Sequence, residues 1–209
     1  MEVLKIESLV FERPQFSLSV KGFSAKENEK IALLGLNGSG KSTFFHILSG
    51  VLPYKGSVQI CGQELKKIRS SVLGKTISLS FQNPDHNLIA ATVRDELLFA
   101  SRNYYTERNP QDVLNYVFEY FPIEHLLKKS TQELSYGEKR LVSLAVAIAH
   151  RPEVILLDEP FTMLDYKQKE NLKRCIQIMP AKLLIVATHE RELIEDICHR
   201  KCWIENGVM

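Results

Sequence analysis

Gly35-Leu36-Asn37-Gly38-Ser39-Gly40-Lys41-Ser42-Thr43 has the form G-x-x-x-x-G-K-S, the spacing of a phosphate-binding loop. The run Lys30-Ile31-Ala32-Leu33-Leu34 leads into it and reads as a buried strand. Thr43-Phe44-Phe45-His46-Ile47-Leu48 follows and reads as a helix that Gly50 can end. Strand, glycine loop and helix is the context the motif requires. Gly35, Gly38 and Gly40 let successive backbone N–H groups turn inward onto phosphate oxygens, and the helix points its positive end at the same anion. Lys41 can reach the β- and γ-phosphates, and the Ser42 hydroxyl can ligate Mg²⁺. The bland alternative is a glycine-rich turn that matches by chance; the flanking strand and helix argue against it. The loop alone does not separate a kinase, a GTPase, a motor and a transporter ATPase.

The next informative stretch is Val154-Ile155-Leu156-Leu157, an apolar strand that ends in Asp158-Glu159. This is the form of a Walker B element. Asp158 is placed to hold Mg²⁺, and Glu159 can polarise an attacking water as general base. Two acids at the solvent edge of a strand are common in isolation; after a phosphate loop they carry more meaning. Leu183-Leu184-Ile185-Val186-Ala187 is another buried strand, ending in Thr188-His189. Asp165 can cap the helix between these strands, which Pro180 closes after Met179. Consecutive apolar strands with helical crossovers predict a parallel sheet, and such sheets bind ligands at the carboxyl ends of their strands.

On the amino-terminal side, Val3 to Phe11 reads as a strand, and Phe16, Leu18 and Val20 alternate with polar residues as a half-buried strand does. Ser57-Val58-Gln59-Ile60 and Thr76 to Phe81 read as further strands, which suggests a small antiparallel sheet beside the parallel one. From Asn83 to about Thr131 the pattern turns helical. Thr92 with Asp95 can cap one helix; Asn109-Pro110 starts another, with Val113, Leu114, Val117, Phe118 and Phe121 on one face. Those aromatics are read as core. Ser135 and Glu138 have capping-box spacing at the head of the helix Leu141 to Ala149, and a capped helix start is also a phosphate site.

The 209 residues fit one domain, or one domain with an inserted subdomain. Hydrophobic content of 44% and charged content of 25% allow a full core. A net charge of +2 is too small to argue for nucleic acid or an acidic membrane surface, so no nucleic-acid partner is expected. Leu141 to Ala149, the longest apolar run, falls short of a membrane span, and Met1-Glu2-Val3-Leu4-Lys5 does not resemble a signal peptide. The expectation is a soluble cytoplasmic chain whose membrane role needs a separate membrane subunit. Of the four cysteines, Cys175 shares a helical face with Leu172, Ile176 and Met179, and Cys198 shares one with Leu193, Ile194 and Ile197. Cys61 and Cys202 sit in strand-like segments. Cys198, His199 and Cys202 match no zinc spacing, so reduced core thiols are expected.

Together these residues form a family pattern. Over nearly its whole length the chain resembles the nucleotide-binding subunit of an ATP-binding cassette (ABC) transporter. Leu134-Ser135-Tyr136-Gly137-Glu138 is similar to the signature L-S-G-G-Q, Gln82 to the Q-loop glutamine, Leu164-Asp165 to the D-loop and His189 to the switch histidine. Phe11 lies where the family has an aromatic ring stacking on adenine. The resemblance implies a single P-loop NTPase domain over 1–209 with the ABC-ATPase fold. That fold is α/β, with a mainly parallel central sheet, an antiparallel β subdomain and a helical subdomain inserted at about 83–134. It implies ATP and Mg²⁺ as ligands. Gly35, Asn37, Gly38, Ser39, Gly40, Lys41, Ser42 and Thr43 would bind nucleotide; Ser42, Gln82 and Asp158 would hold the metal; Glu159, His189 and Gln82 would be catalytic. Two cassettes, identical or not, would pack head to tail, so that Ser135, Gly137 and Glu138 of one chain meet the nucleotide of the other, with Asp165 at their junction.

Phe81-Gln82-Asn83-Pro84-Asp85-His86-Asn87-Leu88-Ile89 is similar to F-Q-N-P-D-x-Q-L-F of energy-coupling factor importers, which take up vitamins and cobalt or nickel ions. This implies an integral membrane partner touched by that segment, and a peripheral place on the cytoplasmic face of the cell membrane. Tyr136 and Glu138 depart from the signature, and Asn28 stands where a glycine usually precedes the phosphate-loop strand. Many relatives in the importer group carry a further carboxy-terminal dimerisation segment, whereas this chain ends shortly after His189. The rival is a soluble ABC ATPase acting on ribosomes or DNA, but such relatives carry two cassettes or a long coiled coil. A small-molecule kinase would leave the signature stretch unexplained.

Overall fold

The strands that read as unbroken apolar runs lie inside a sheet, because a strand apolar on both faces must be covered on both. A computed structural model describes residues 1–105 and 108–209. β3 (Glu29–Leu34), β7 (Val154–Asp158) and β8 (Leu183–Thr188) lie side by side in a parallel sheet, with β6 (Ile77–Ser80) at one edge and β9 (Arg200–Trp203) at the other. The period of two divides their side chains between two cores. Ala32, Leu34, Ile155, Leu157, Leu184 and Val186 face the one built with α3 (Val93–Arg102), α4 (Pro110–Phe118), α5 (Tyr136–Ala149) and α6 (Tyr166–Ile178). Ile31, Leu33, Val154, Leu156, Leu183, Ile185 and Ala187 face the other, built with α1 (Lys41–Leu48) and a second sheet.

That second sheet is antiparallel, in the order β2 (Phe16–Lys26), β1 (Glu2–Arg13), β4 (Lys55–Ile60), β5 (Gln63–Glu64). Its register slips beside Glu2 and Leu4, which lets the neighbours Val3 and Leu4 both be buried in a strand that otherwise alternates. The strand expected at Thr76 to Phe81 joins the parallel sheet and not this one. Its serine face, which reads as solvent-facing, is buried at Ser80, whose hydroxyl meets that of Ser143 on α5 at 3.2 Å.

The caps read from sequence are made. Thr92, Asn109 and Asp165 each accept the backbone N–H two or three residues on, and Ser135 with Glu138 forms a complete capping box. Asn28 has φ +66, a left-handed turn that asparagine tolerates, which is why a glycine serves equally there. Two cysteine expectations are corrected. Cys61 lies in the turn after β4 at φ +49, and Cys198 follows α7 (Arg191–Ile194), too short a helix to carry the whole apolar face expected of it. All four thiols are free, and burial pushes Cys61 up to about 11 and Cys198 up to about 12, so both stay protonated.

Parallel pairing brings the strand ends together. Leu34 pairs with Thr188, Asp158 with Ala187, and Ser80 with Leu157. The segments that follow β3, β6, β7 and β8 therefore leave the sheet on one side.

Candidate functional site

Lys41 opens α1, and its side chain is 5% exposed. Its ammonium donates to the carbonyls of Gly35 at 2.8 Å and Leu36 at 3.2 Å. Glu159 Oε1 lies 3.2 Å from Nζ, an ion pair of two buried groups. The other carboxylate oxygen of Glu159 is 2.9 Å from His189 Nδ1. One acid at the end of β7 thus bridges the phosphate-loop lysine and the histidine at the end of β8. Its backbone sits at φ +45, a strained conformation for a side chain of this size, of the kind found where function fixes a side chain's direction.

The loop's own shape depends on Gly40, at φ +118 just before α1. A Cβ there would be strained in itself and would also stand 3.1 Å from the Phe16 ring and 3.2 Å from Leu18. A cleft of about 410 Å³ opens over the loop, lined by Asn37, Gly38, Gly40, Lys41, Ser42, Thr43, Gln82 and Glu159. An adjoining cavity of about 510 Å³ takes Gly35, Ser39 and His189 in its wall. The sequence-predicted phosphate loop, Gln82, Glu159 and His189 are therefore brought together around the loop.

Asp158 is 4% exposed, and its Oδ1 has no hydrogen-bond partner. Burial raises its pKa, opposed by the Ser42 hydroxyl beside it and reinforced by the charge of Glu159. A buried carboxylate oxygen without a partner, next to a hydroxyl at the head of α1, is a hard oxygen donor set of the kind Mg²⁺ takes. No cluster of three or more His, Cys, Asp or Glu exists among the described residues, so a cation here would rely on Asp158, Ser42 and Gln82 with oxygens from substrate or water.

Phe11, expected beside the adenine, is not among the residues that line either cavity at the loop. It pairs with Leu18 and packs against the core beside the antiparallel sheet, outside the cleft. The rings and charges that reach the cleft are Phe16 and Arg13, paired across the Pro14-Gln15 turn, with the guanidinium 4.9 Å from the ring centroid. Distance from the hairpin tip is the reason: the tip leans over Gly40, and Phe11 is two pairs below it. In sequence Phe16 reads only as an apolar position of an alternating strand.

Ser135, Gly137 and Glu138 do not join this cleft. They line a separate cavity of about 170 Å³ with Leu164 and Gln168. A Cβ on Gly137 would stand 2.4 Å from Gln168 Nε2, and Gln168 is the residue whose side chain accepts the Asp165 backbone N–H at 3.0 Å. The signature stretch and Asp165 are thus neighbours on one edge. Gln168 went unread in the sequence, as did Arg140, a fully buried arginine on α5.

Comparison with known proteins bears on what this arrangement is. The ABC transporter family matches residues 18–162. The energy-coupling factor transporter ATP-binding protein EcfA of Methanocaldococcus jannaschii is 34% identical over 206 residues, covering 93% of this chain and 72% of that protein. EcfA1 of Ureaplasma parvum is 34% identical over 196 residues, covering 90% of this chain and 67% of that protein. Among solved structures, CbiO1 from Clostridium perfringens, part of the ABC transporter complex CbiONQ, matches with a TM-score of 0.84 at 28% identity, covering 99% of this chain and 86% of that one.

Proposed function

The chain belongs to the ABC transporter family of ATP-binding proteins, and on that premise we propose that it is the ATPase that energises a membrane importer of the energy-coupling factor type. The observation that carries the hydrolytic part is the position of Glu159, 3.2 Å from Lys41 and 2.9 Å from His189 at the mouth of the phosphate loop. The relatives named as energy-coupling factor ATP-binding proteins support the importer part.

In this reading the backbone amides of Gly38 to Ser42 take the phosphates of ATP, and Lys41 exchanges its contact with Glu159 for β- and γ-phosphate oxygens. Asp158, Ser42 and Gln82 would hold Mg²⁺, which would supply charge neutralisation to the phosphates. Glu159 accepts a proton from water as the water oxygen bonds to the γ-phosphorus. The bond from that phosphorus to the bridging oxygen breaks, and its electron pair leaves with ADP. His189 holds the Glu159 carboxylate through Nδ1. Phe16 and Arg13 offer the adenine a ring and a guanidinium.

Residues 83–134 act as an inserted helical subdomain that carries Ser135 and Gly137 to the nucleotide of a second cassette, in a homodimer or heterodimer. The exposed apolar side chains Leu36, Met163 and Tyr166 fit such a contact. No helix among the described residues is long and apolar enough to cross a membrane, which fits a peripheral subunit on the cytoplasmic face.

Glu159→Gln tests the chemistry. The variant keeps the shape and removes the base, so Mg-ATP binding is retained while turnover falls about 10²–10⁴-fold. Turnover at the wild-type rate removes Glu159 from the role of base.

A further inference from the structure

Arg140 is among the largest side chains with no exposed surface. A guanidinium inside a core is costly unless its donors are satisfied, and an apolar residue of the same volume would be no less stable there. Its two terminal nitrogens go to main-chain carbonyls, Nη1 to Phe81 at 2.8 Å and Nη2 to Gln82, while its Nε is buried without a partner. Successive carbonyls of an extended strand point to opposite sides. A planar fork that takes two in a row therefore fixes a bend, and this one falls just after β6, where the chain turns to present Gln82 to the phosphate cleft.

Neighbouring residues of the same helix hold the same bend. Ser143 Oγ lies 3.2 Å from both Ser80 Oγ and Asn87 Oδ1. Asn87 accepts the Phe81 N–H at 3.0 Å and donates to the Leu79 carbonyl at 3.3 Å. Lys139 pairs with Asp85 at 2.7 Å on the surface. Tyr136, which stands where L-S-G-G-Q has a glycine, places its hydroxyl 3.3 Å from Arg140 Nη2.

We infer that Arg140 is a positioning residue: from the helix that starts at Ser135, it holds the Phe81–Gln82 bend and so sets where the Gln82 side chain stands over the phosphate loop. It makes Gln82, on the chain's own cleft, and Ser135, on the edge proposed to meet the second cassette, parts of one rigid piece. The catalytic consequence rests on the proposed ATP site; the mechanical one does not.

The test uses the full chain with Arg140→Met, of similar length without donors, and Arg140→Lys, which keeps the charge but cannot take two carbonyls as a planar fork does. Amide hydrogen exchange is read without nucleotide, and steady-state ATP hydrolysis is read across a range of Mg²⁺. In the Met variant, exchange at 81–87 rises about 10- to 100-fold, the range expected for charge-assisted hydrogen bonds, while the rest of the sheet is unchanged. With Gln82 displaced, kcat falls about 10- to 100-fold, KM for ATP stays near wild type, and half-saturating Mg²⁺ rises. Lys restores part of each. If the Met variant does not fold, the Lys variant decides by the same readings. Unchanged exchange at 81–87 in a folded variant overturns the inference. So does exchange that rises throughout the core with kcat and KM failing together and no recovery by Lys, which is a packing role. A wild-type chain without ATPase activity defeats the proposed function, and the exchange arm then still decides whether Arg140 holds the bend.

Discussion

Glu138 replaces the glutamine of L-S-G-G-Q without loosening the start of α5. Its carboxylate accepts the Ser135 backbone N–H at 2.8 Å and pairs with Lys129 at 2.8 Å. The Lys129 hydrogen bond first, and the Ser135 N–H second, hold its pKa down from 4.5 to about 2. A carboxylate lowered by folding adds stability that is present above pH 4.5 and lost as pH falls from there toward 2. Glu138→Gln keeps the capping acceptor and removes the titrating charge. The expected result is a smaller drop in denaturant midpoint between pH 6 and pH 3 for the Gln variant than for wild type. Equal drops would show that this carboxylate does not contribute to acid lability. Phe16, and not Phe11, lines the cleft. Both are aromatic in strand-like sequence, and only the pairing of Arg13 with Phe16 across the turn shows which ring reaches the loop.

The segment from Asn83 to Ala90 leads from Gln82 at the cleft to α3. It is shaped by its own side chains and by Glu96, a buried carboxylate that accepts the backbone N–H groups of Ile89 at 2.7 Å and Ala90 at 2.6 Å. Its two neighbouring apolar side chains differ in burial. Leu88 is half-buried against the helical core, whereas Ile89 is 70% exposed. A hydrogen-bonded loop that presents an exposed isoleucine suits the proposed contact with a membrane subunit. Ile89→Asp is therefore expected to reduce recovery of that subunit with the tagged chain from membranes, and to leave thermal stability and Mg-ATP binding by the isolated chain intact. Recovery equal to wild type would free this segment of the role, and loss of folding would mean that Ile89 is structural.

Across the molecule, the loop with Lys41 and the edge with Ser135 lie on separate cavities of one chain, and the proposed head-to-tail pair would bring them to one nucleotide from two chains. A ligand that binds only the closed pair stabilises it by about 2.7 kcal/mol at a hundredfold excess over Kd, so two ATP molecules acting independently favour association by about 10⁴-fold. In the Glu159→Gln background, which prevents turnover, mass measured in solution is expected to shift from monomer to dimer with Mg-ATP. Adding Ser135→Arg abolishes the shift while nucleotide binding through Lys41 persists, because the bulky side chain fills the proposed trans phosphate site. A chain already dimeric without nucleotide, and indifferent to Ser135→Arg, contradicts a nucleotide-joined pair.

The phosphate loop, the acid-ended strand Val154–Asp158, the apolar strand ending at His189 and the helix caps were legible in the sequence, because each rests on spacing within a few residues and on backbone chemistry that those residues carry themselves. So was the presence of a parallel and an antiparallel sheet, since apolar residues on both faces of a strand demand cover on both; the serine-bearing strand Ile77–Ser80 was not assigned to its sheet by that rule. What only the tertiary structure decided are the contacts between residues far apart in the chain. Lys41 meets Glu159, Gln168 fills the space beside Gly137, Phe16 leans on Gly40, and Arg140 binds the carbonyls of Phe81 and Gln82. Arg140 shows why. In sequence it is one basic residue beside Lys139 with nothing near it to mark it as buried; folding sets its 0% exposed guanidinium against two carbonyls of a segment nearly sixty residues away.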